Sequence, residues 1–124
     1  MNDLRLPWPP RELSPNARTH WRAKAPISKR YKAACLALAR AAGMVAPSVP
    51  ENAPKRCYSL FLDFYPPDRR ARDDDNIIAS FKAGRDGLAQ ALGVDDKRFV
   101  CHPRVMEQTG GFVQVRIGVE PVEG

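Results

Sequence analysis

The feature that most constrains this chain is a strict two-residue alternation near its C-terminal end. From Phe112 to Glu120, Val113, Val115, Ile117 and Val119 alternate with Gln114, Arg116 and Gly118. A period of two belongs to a β-strand with one face buried, and such a strand is not stable without partners. Cys57 to Tyr65 supplies a second strand, aromatic-rich, with Leu60, Leu62 and Phe64 on one parity. A third is expected over Phe99 to Glu107, joined to the last by a hairpin turn at Gly110-Gly111, and a short N-terminal strand is expected around Asp3 to Leu6.

Helical patterns fall between these runs. Ser28 is a suitable N-cap for a helix running to about Ala42, with Gly43 as its stop. A second helix is expected over residues 75 to 92. At about 100° per residue, Ile77, Phe81, Gly84, Leu88 and Leu92 form one apolar stripe, while Asp75, Lys82 and Asp86 gather on the opposite side. Two Pro-rich stretches, Leu6 to Pro15 and Pro47 to Pro54, read as ordered loops. At 124 residues and 44% hydrophobic content, this is one α+β domain over residues 1–124, a small mixed or antiparallel sheet packed against two main helices.

Composition narrows the functional classes. No apolar run approaches the roughly 18 residues that a membrane span needs, and MNDLRLPWPP carries no signal-like apolar core, so no membrane partner is expected. Cys35, Cys57 and Cys101 form no CxxC pair, which fits a reducing cytoplasm. The net charge of +6 is unevenly spread: residues 1–56 hold 11 basic and 3 acidic side chains, and residues 57–124 hold 9 and 11. A basic segment of this kind suits a polyanion partner.

The chemistry concentrates in Pro66 to Asn76, PPDRRARDDDN. A helix cap needs one carboxylate, and here three aspartates stand in a row. Asp73 and Asp75, two apart at a strand-to-helix junction, can turn toward one point and suit a hard divalent ion such as Mg2+, with Mn2+ as a substitute. Asp95-Asp96, after Gly93, offers a third carboxylate. Arg69, Arg70 and Arg72 stand directly before the acidic run and would hold phosphates beside the ion, or else form an internal salt-bridge network. Neither a Walker motif nor a Gly-rich loop supports a nucleotide cofactor, and the pattern fits no EF-hand.

LPWPP, the segment from Asn16 through His20-Trp21, PPDRRARDDDN, KAGRDGL and GVDD, in this order over nearly the whole chain, resemble the RusA-type Holliday junction resolvases of bacteria and their phages. The resemblance implies a homodimeric, Mg2+-dependent endodeoxyribonuclease that cuts paired strands of a four-way DNA junction. It places the metal-binding and catalytic carboxylates on Asp73, Asp75 and, of the DD pair, Asp96, and leaves Asp74 exposed. The lysine that some members carry one helical turn after the second aspartate falls here on Ala79, so Lys82 takes the catalytic lysine's role. Asp86 is then structural, paired with Lys82 or a backbone donor. DNA contacts are expected from Arg18, His20, Arg22 and Lys24 with Arg69, Arg70 and Arg72. Trp8, Trp21 and Tyr31 either stack on unpaired bases or anchor their segments to the core. The alternative of a different class is a non-catalytic junction-binding protein of the same fold.

Overall fold

The computed structural model describes residues 3–121, so the ends of the expected 1–124 domain lie outside the described residues. Four strands, β1 (Asp3–Pro7), β2 (Tyr58–Tyr65), β3 (Phe99–Val105) and β4 (Phe112–Val119), form one mixed sheet in the order β1-β4-β2-β3. Three helices, α1 (Trp21–Ala41), α2 (Asp74–Ser80) and α3 (Lys82–Leu92), complete the α+β fold. The alternation drives the layering: Leu4 and Leu6, Leu60, Leu62 and Phe64, and Val113, Val115 and Ile117 all enter one buried core with Tyr31, Cys35, Phe81 and Leu88 from the helices.

The expected hairpin does not form. β4 pairs antiparallel with both β1 and β2, whereas β3 pairs with β2 in parallel, Phe61 lying opposite His102 on one side and Arg116 on the other. β2, the most buried strand, takes partners on both edges, and α2 and α3 provide the long crossover that a parallel pair requires. Gly110 and Gly111 serve the passage from β3 to β4 across the end of β2, donating backbone hydrogen bonds to Pro66 O and Tyr65 O, each at 2.8 Å.

The first helix begins earlier than Ser28. His20 is its N-cap, Nδ1 accepting from Arg22 N at 3.2 Å, and Pro26 lies inside it. Pro26 removes the donor that would meet the Arg22 carbonyl, but residues 21–23, 25 and 26 are all exposed, so that turn of the helix is open to solvent. The helix ends where expected, since Gly43 takes φ +70°, letting Gly43 N donate to Arg40 O and Met44 N to Ala39 O.

The second expected helix is two. Buried Ser80 donates through Oγ to Ile77 O at 2.6 Å, and Phe81 leaves helical geometry at φ −87°, ψ 1°. The Phe81 ring is thereby set edge-on to Phe64 and to Tyr31, at 5.7 and 6.3 Å between centroids. The apolar stripe is as expected, with Ile77, Phe81, Gly84 and Leu88 buried and Leu92 half-buried. Gly87 lets α3 approach α1 closely, for a Cβ there would stand 2.5 Å from Lys32 O. Among the described residues, no helix is long and apolar enough to cross a membrane.

Candidate active site

The segment between β2 and α2 is stiffened by its own charges. Asp68 Oδ1 accepts from Arg70 N at 2.9 Å and from Arg72 Nη2 at 2.8 Å, and Arg72 Nη1 donates to the carbonyls of Asp68 and Arg70, each at 3.1 Å. The Arg70 N–H above all, then the Arg72 guanidinium, hold the Asp68 carboxyl below its ordinary pKa. Of the three arginines, Arg72 belongs to an internal network. Arg69 and Arg70 are exposed and make no ion pair among the described residues.

This loop delivers Asp73 as the N-cap of α2, its Oδ1 accepting from Asp75 N at 2.9 Å. The second oxygen of Asp73 remains available. Asp74 and Asp75 occupy the first turn, both exposed, as the carboxylates of a helix N-terminus favourably do. Exposed carboxylate oxygens at the start of one helix suit a hard cation that keeps most of its water. By donor type, Asp73 and Asp75 would suit Mg2+.

Asp96 lies on a different element. It opens a short 3-10 turn, Asp96–Arg98, capped by Asp95, whose Oδ1 accepts from Lys97 N at 2.9 Å. That backbone donor holds the Asp95 carboxyl below its usual range. Asp96 Oδ2 lies 3.5 Å from Arg85 Nη2 on α3. Among the described residues no three His, Cys, Asp or Glu side chains converge as metal ligands, so the expected triangle of Asp73, Asp75 and Asp96 is not closed.

Asp73 lines a cleft of about 630 Å3 between the start of α2 and the N-terminal loop. Its walls include Trp8, Pro9 and Pro10, the polar side chains of Asn16 and Asn76, and Arg18. Sequence reasoning named Asn16 and Asn76 only as the ends of segments: Asn76 directly follows Asp75, whereas Asn16 is far from the aspartates in the chain and only the fold brings it to the cleft. Trp8 meets Phe64 edge to face at 6.2 Å, which anchors its loop, and, half-buried, it also lines the cleft. Tyr31 is also an anchor: it is 4% exposed and donates to Pro7 O at 2.6 Å, and burial raises its hydroxyl pKa. It is not a platform for bases. Trp21, 67% exposed between His20 and Arg22, is the tryptophan open to solvent.

Lys82 lines an adjoining hollow with Trp21, Lys24, Ser28 and Ala79. It is exposed and forms no ion pair among the described residues, so the expected Lys82–Asp86 pair is absent. The break at Phe81 has moved Lys82 to the first turn of a new helix, away from the geometry of one continuous ridge. Lys24 reaches back to Ser14 O at 3.4 Å, and Arg18, His20 and Arg22 are exposed around the start of α1. The structure thus brings Asp73 and Arg18 to one cleft and Lys24 and Lys82 to the next. The two hollows share Ser80 in their walls.

Fold and site together define a small basic α+β domain with a carboxylate-rich helix start facing a cationic loop. No family model matches the chain. A protein of Xylella fastidiosa described as an uncharacterized protein is 43% identical over 119 residues, which cover 96% of this chain and 76% of that protein. The chain belongs to the same family as that Xylella protein.

Proposed function

We propose that this protein is a Mg2+-dependent, structure-specific endodeoxyribonuclease of the RusA type, acting as a cytoplasmic homodimer on four-way DNA junctions. The observation that carries the reading is Asp73: a helix-capping carboxylate with one oxygen to spare, followed by Asp75 and facing a cleft shared with unpaired Arg18. The Arg69 and Arg70 side chains beside it are free to neutralise phosphate. Asp73 and Asp75 would hold the ion, and Asp96 would join them on release from Arg85. Bound there, Mg2+ supplies a Lewis acid for a phosphoryl oxygen and lowers the pKa of an attacking water. Lys82 and Lys24, in the neighbouring hollow, would steady the flanking phosphate. A two-fold dimer would present two such sites to the two-fold symmetric junction.

A second reading is favoured by two specific observations: Ala79 stands where the resemblance puts a lysine, and Asp96 is engaged with Arg85. On that reading the protein binds junctions without cutting them. Cleavage of a labelled four-way junction in Mg2+, with binding in EDTA measured beside it, separates the two. Asp75→Asn should abolish cleavage and leave binding equal or tighter, because a carboxylate facing phosphate repels it until a cation bridges them. Cleavage by D75N at the wild-type rate would remove Asp75 from the site.

A further inference from the structure

The cleft beside Asp73 has the size of a small-molecule site. Its 630 Å3 lies inside the roughly 300–1,000 Å3 typical of such pockets, room for one nucleotide. Its chemistry matches the parts of a nucleotide. Trp8, Pro9 and Pro10 give an apolar and aromatic wall for a base. Asn16 Oδ1 accepts from Ser14 Oγ at 2.6 Å, which leaves the Asn16 amide NH2 to donate to a base edge, and Asn76 offers a second amide from α2. Three arginines line the cleft, but Arg72 is held by Asp68 and Arg11 lies 3.5 Å from Glu12. Arg18 is exposed and makes no ion pair among the described residues, so it is the cation left for a phosphate.

We propose that this cleft is a single-nucleotide site that takes one unpaired deoxynucleotide, its base against the Trp8 wall and its phosphate at Arg18. The inference rests on the nuclease reading and sharpens its substrate class. The strand to be cut would yield one nucleotide from the stack beside Asp73, and a branch point is where that extraction costs least. Branched DNA would then be preferred over a linear duplex because of the cleft itself.

The test uses the full chain, isotopically labelled and titrated in EDTA with dCMP, deoxycytidine and inorganic phosphate while backbone amide resonances are followed. dCMP should move the amides of Asn16, Arg18, Thr19 and Asn76. Arg18→Ala should weaken dCMP at least tenfold and deoxycytidine little, and Asn16→Ala should weaken both. Both side chains are exposed, so neither variant disturbs the core. If inorganic phosphate moves the same amides as strongly as dCMP, the cleft is an anion site only and the proposal is overturned. Junction binding on the same preparations separates the two readings. A protein that binds junctions while dCMP leaves the cleft amides still overturns the single-nucleotide site and spares the nuclease. One that binds dCMP in the cleft but no junction supports the site and overturns the nuclease.

Discussion

Asp73 caps α2, and the proposed function gives it a second role as a metal ligand that substitution can pull apart from the first. Its Oδ1 caps α2 through the 2.9 Å bond from Asp75 N, and α2, at seven residues, is too short to stand without that cap and its packing. Asp73→Ala removes the acceptor, at a cost of about 1 kcal/mol within a range of roughly 0.5–2. For a domain of this length that is about 3–5 °C in Tm. Asp73→Asn keeps a side-chain oxygen at the same place, and Asn caps about as well as Asp, so its Tm should stay within about 1 °C of wild type. Both variants lack the carboxylate charge that would hold Mg2+, and both should lose junction cleavage by orders of magnitude. Thermal unfolding by circular dichroism and single-turnover cleavage on the same preparations give the two readings. D73N as unstable as D73A would refute the capping argument, and D73N cleaving at the wild-type rate would refute the metal assignment.

Gly87→Ala sets a helix-propensity gain of about 1 kcal/mol against about 1–3 kcal/mol of overpacking on the Lys32 carbonyl, so urea unfolding should show no gain and a loss of up to about 2 kcal/mol; a more stable variant would contradict the close approach of α1 and α3. Lys82→Ala should leave the urea midpoint unchanged, because the side chain is exposed and unpaired, yet slow cleavage at least a hundredfold, on the scale of the roughly 2.7–4 kcal/mol of one preorganised donor. Unchanged cleavage would mean that the lysine's role was lost at Ala79. Burial pushes the Cys35 thiol up from 9.0 to about 11 and raises Tyr31 as well, so the fold prefers both neutral. From neutral pH to about pH 9 these two groups should leave stability level, and stability should decline as pH rises toward 11; a urea midpoint constant from about pH 9 to 11 would count against the buried pair. Junction affinity should fall with a log–log salt slope of about −0.9 per neutralised phosphate, and replacing Arg69 and Arg70 together by Gln should flatten it by about 2; an unchanged slope would remove them from the interface.

Strands were legible in the sequence because a buried face imposes its period on the residues. Phe112–Val119 and Tyr58–Tyr65 fall within a residue of the runs expected from alternation. Strand order was not legible. Gly110-Gly111 has the composition of a hairpin turn, but their N–H groups are claimed by Tyr65 and Pro66 at the end of β2, a choice made by tertiary pairing. Ser28 gave a plausible start for the first helix, and the actual cap, His20, carries a weak local signal. The Phe81 break was hidden because Ile77, Phe81, Gly84 and Leu88 keep one face across it.

The site was legible where it is local. Asp73 and Asp75 do stand at the start of the helix that follows β2, but Asp73, Asp74 and Asp75 are all exposed, so exposure does not separate Asp74 from the pair. Asp96 was assigned without its partner, since the turn after Gly93 decides that it meets Arg85. The cleft's far wall, with Asn16 and Arg18, lies more than fifty residues from Asp73 in the chain, and only the folded loop brings it there.

The most direct test of the central claim is a strand-resolved cleavage assay on one four-way junction, each strand labelled in turn, in Mg2+ and in EDTA, with the matching linear duplex as control. A RusA-type resolvase should make paired nicks on two opposing strands, symmetric about the branch and sealable by ligase, only in Mg2+, and leave the duplex intact. Tight junction binding with all strands uncut, in either Mg2+ or Mn2+, would contradict the nuclease and leave a junction-binding protein in its place.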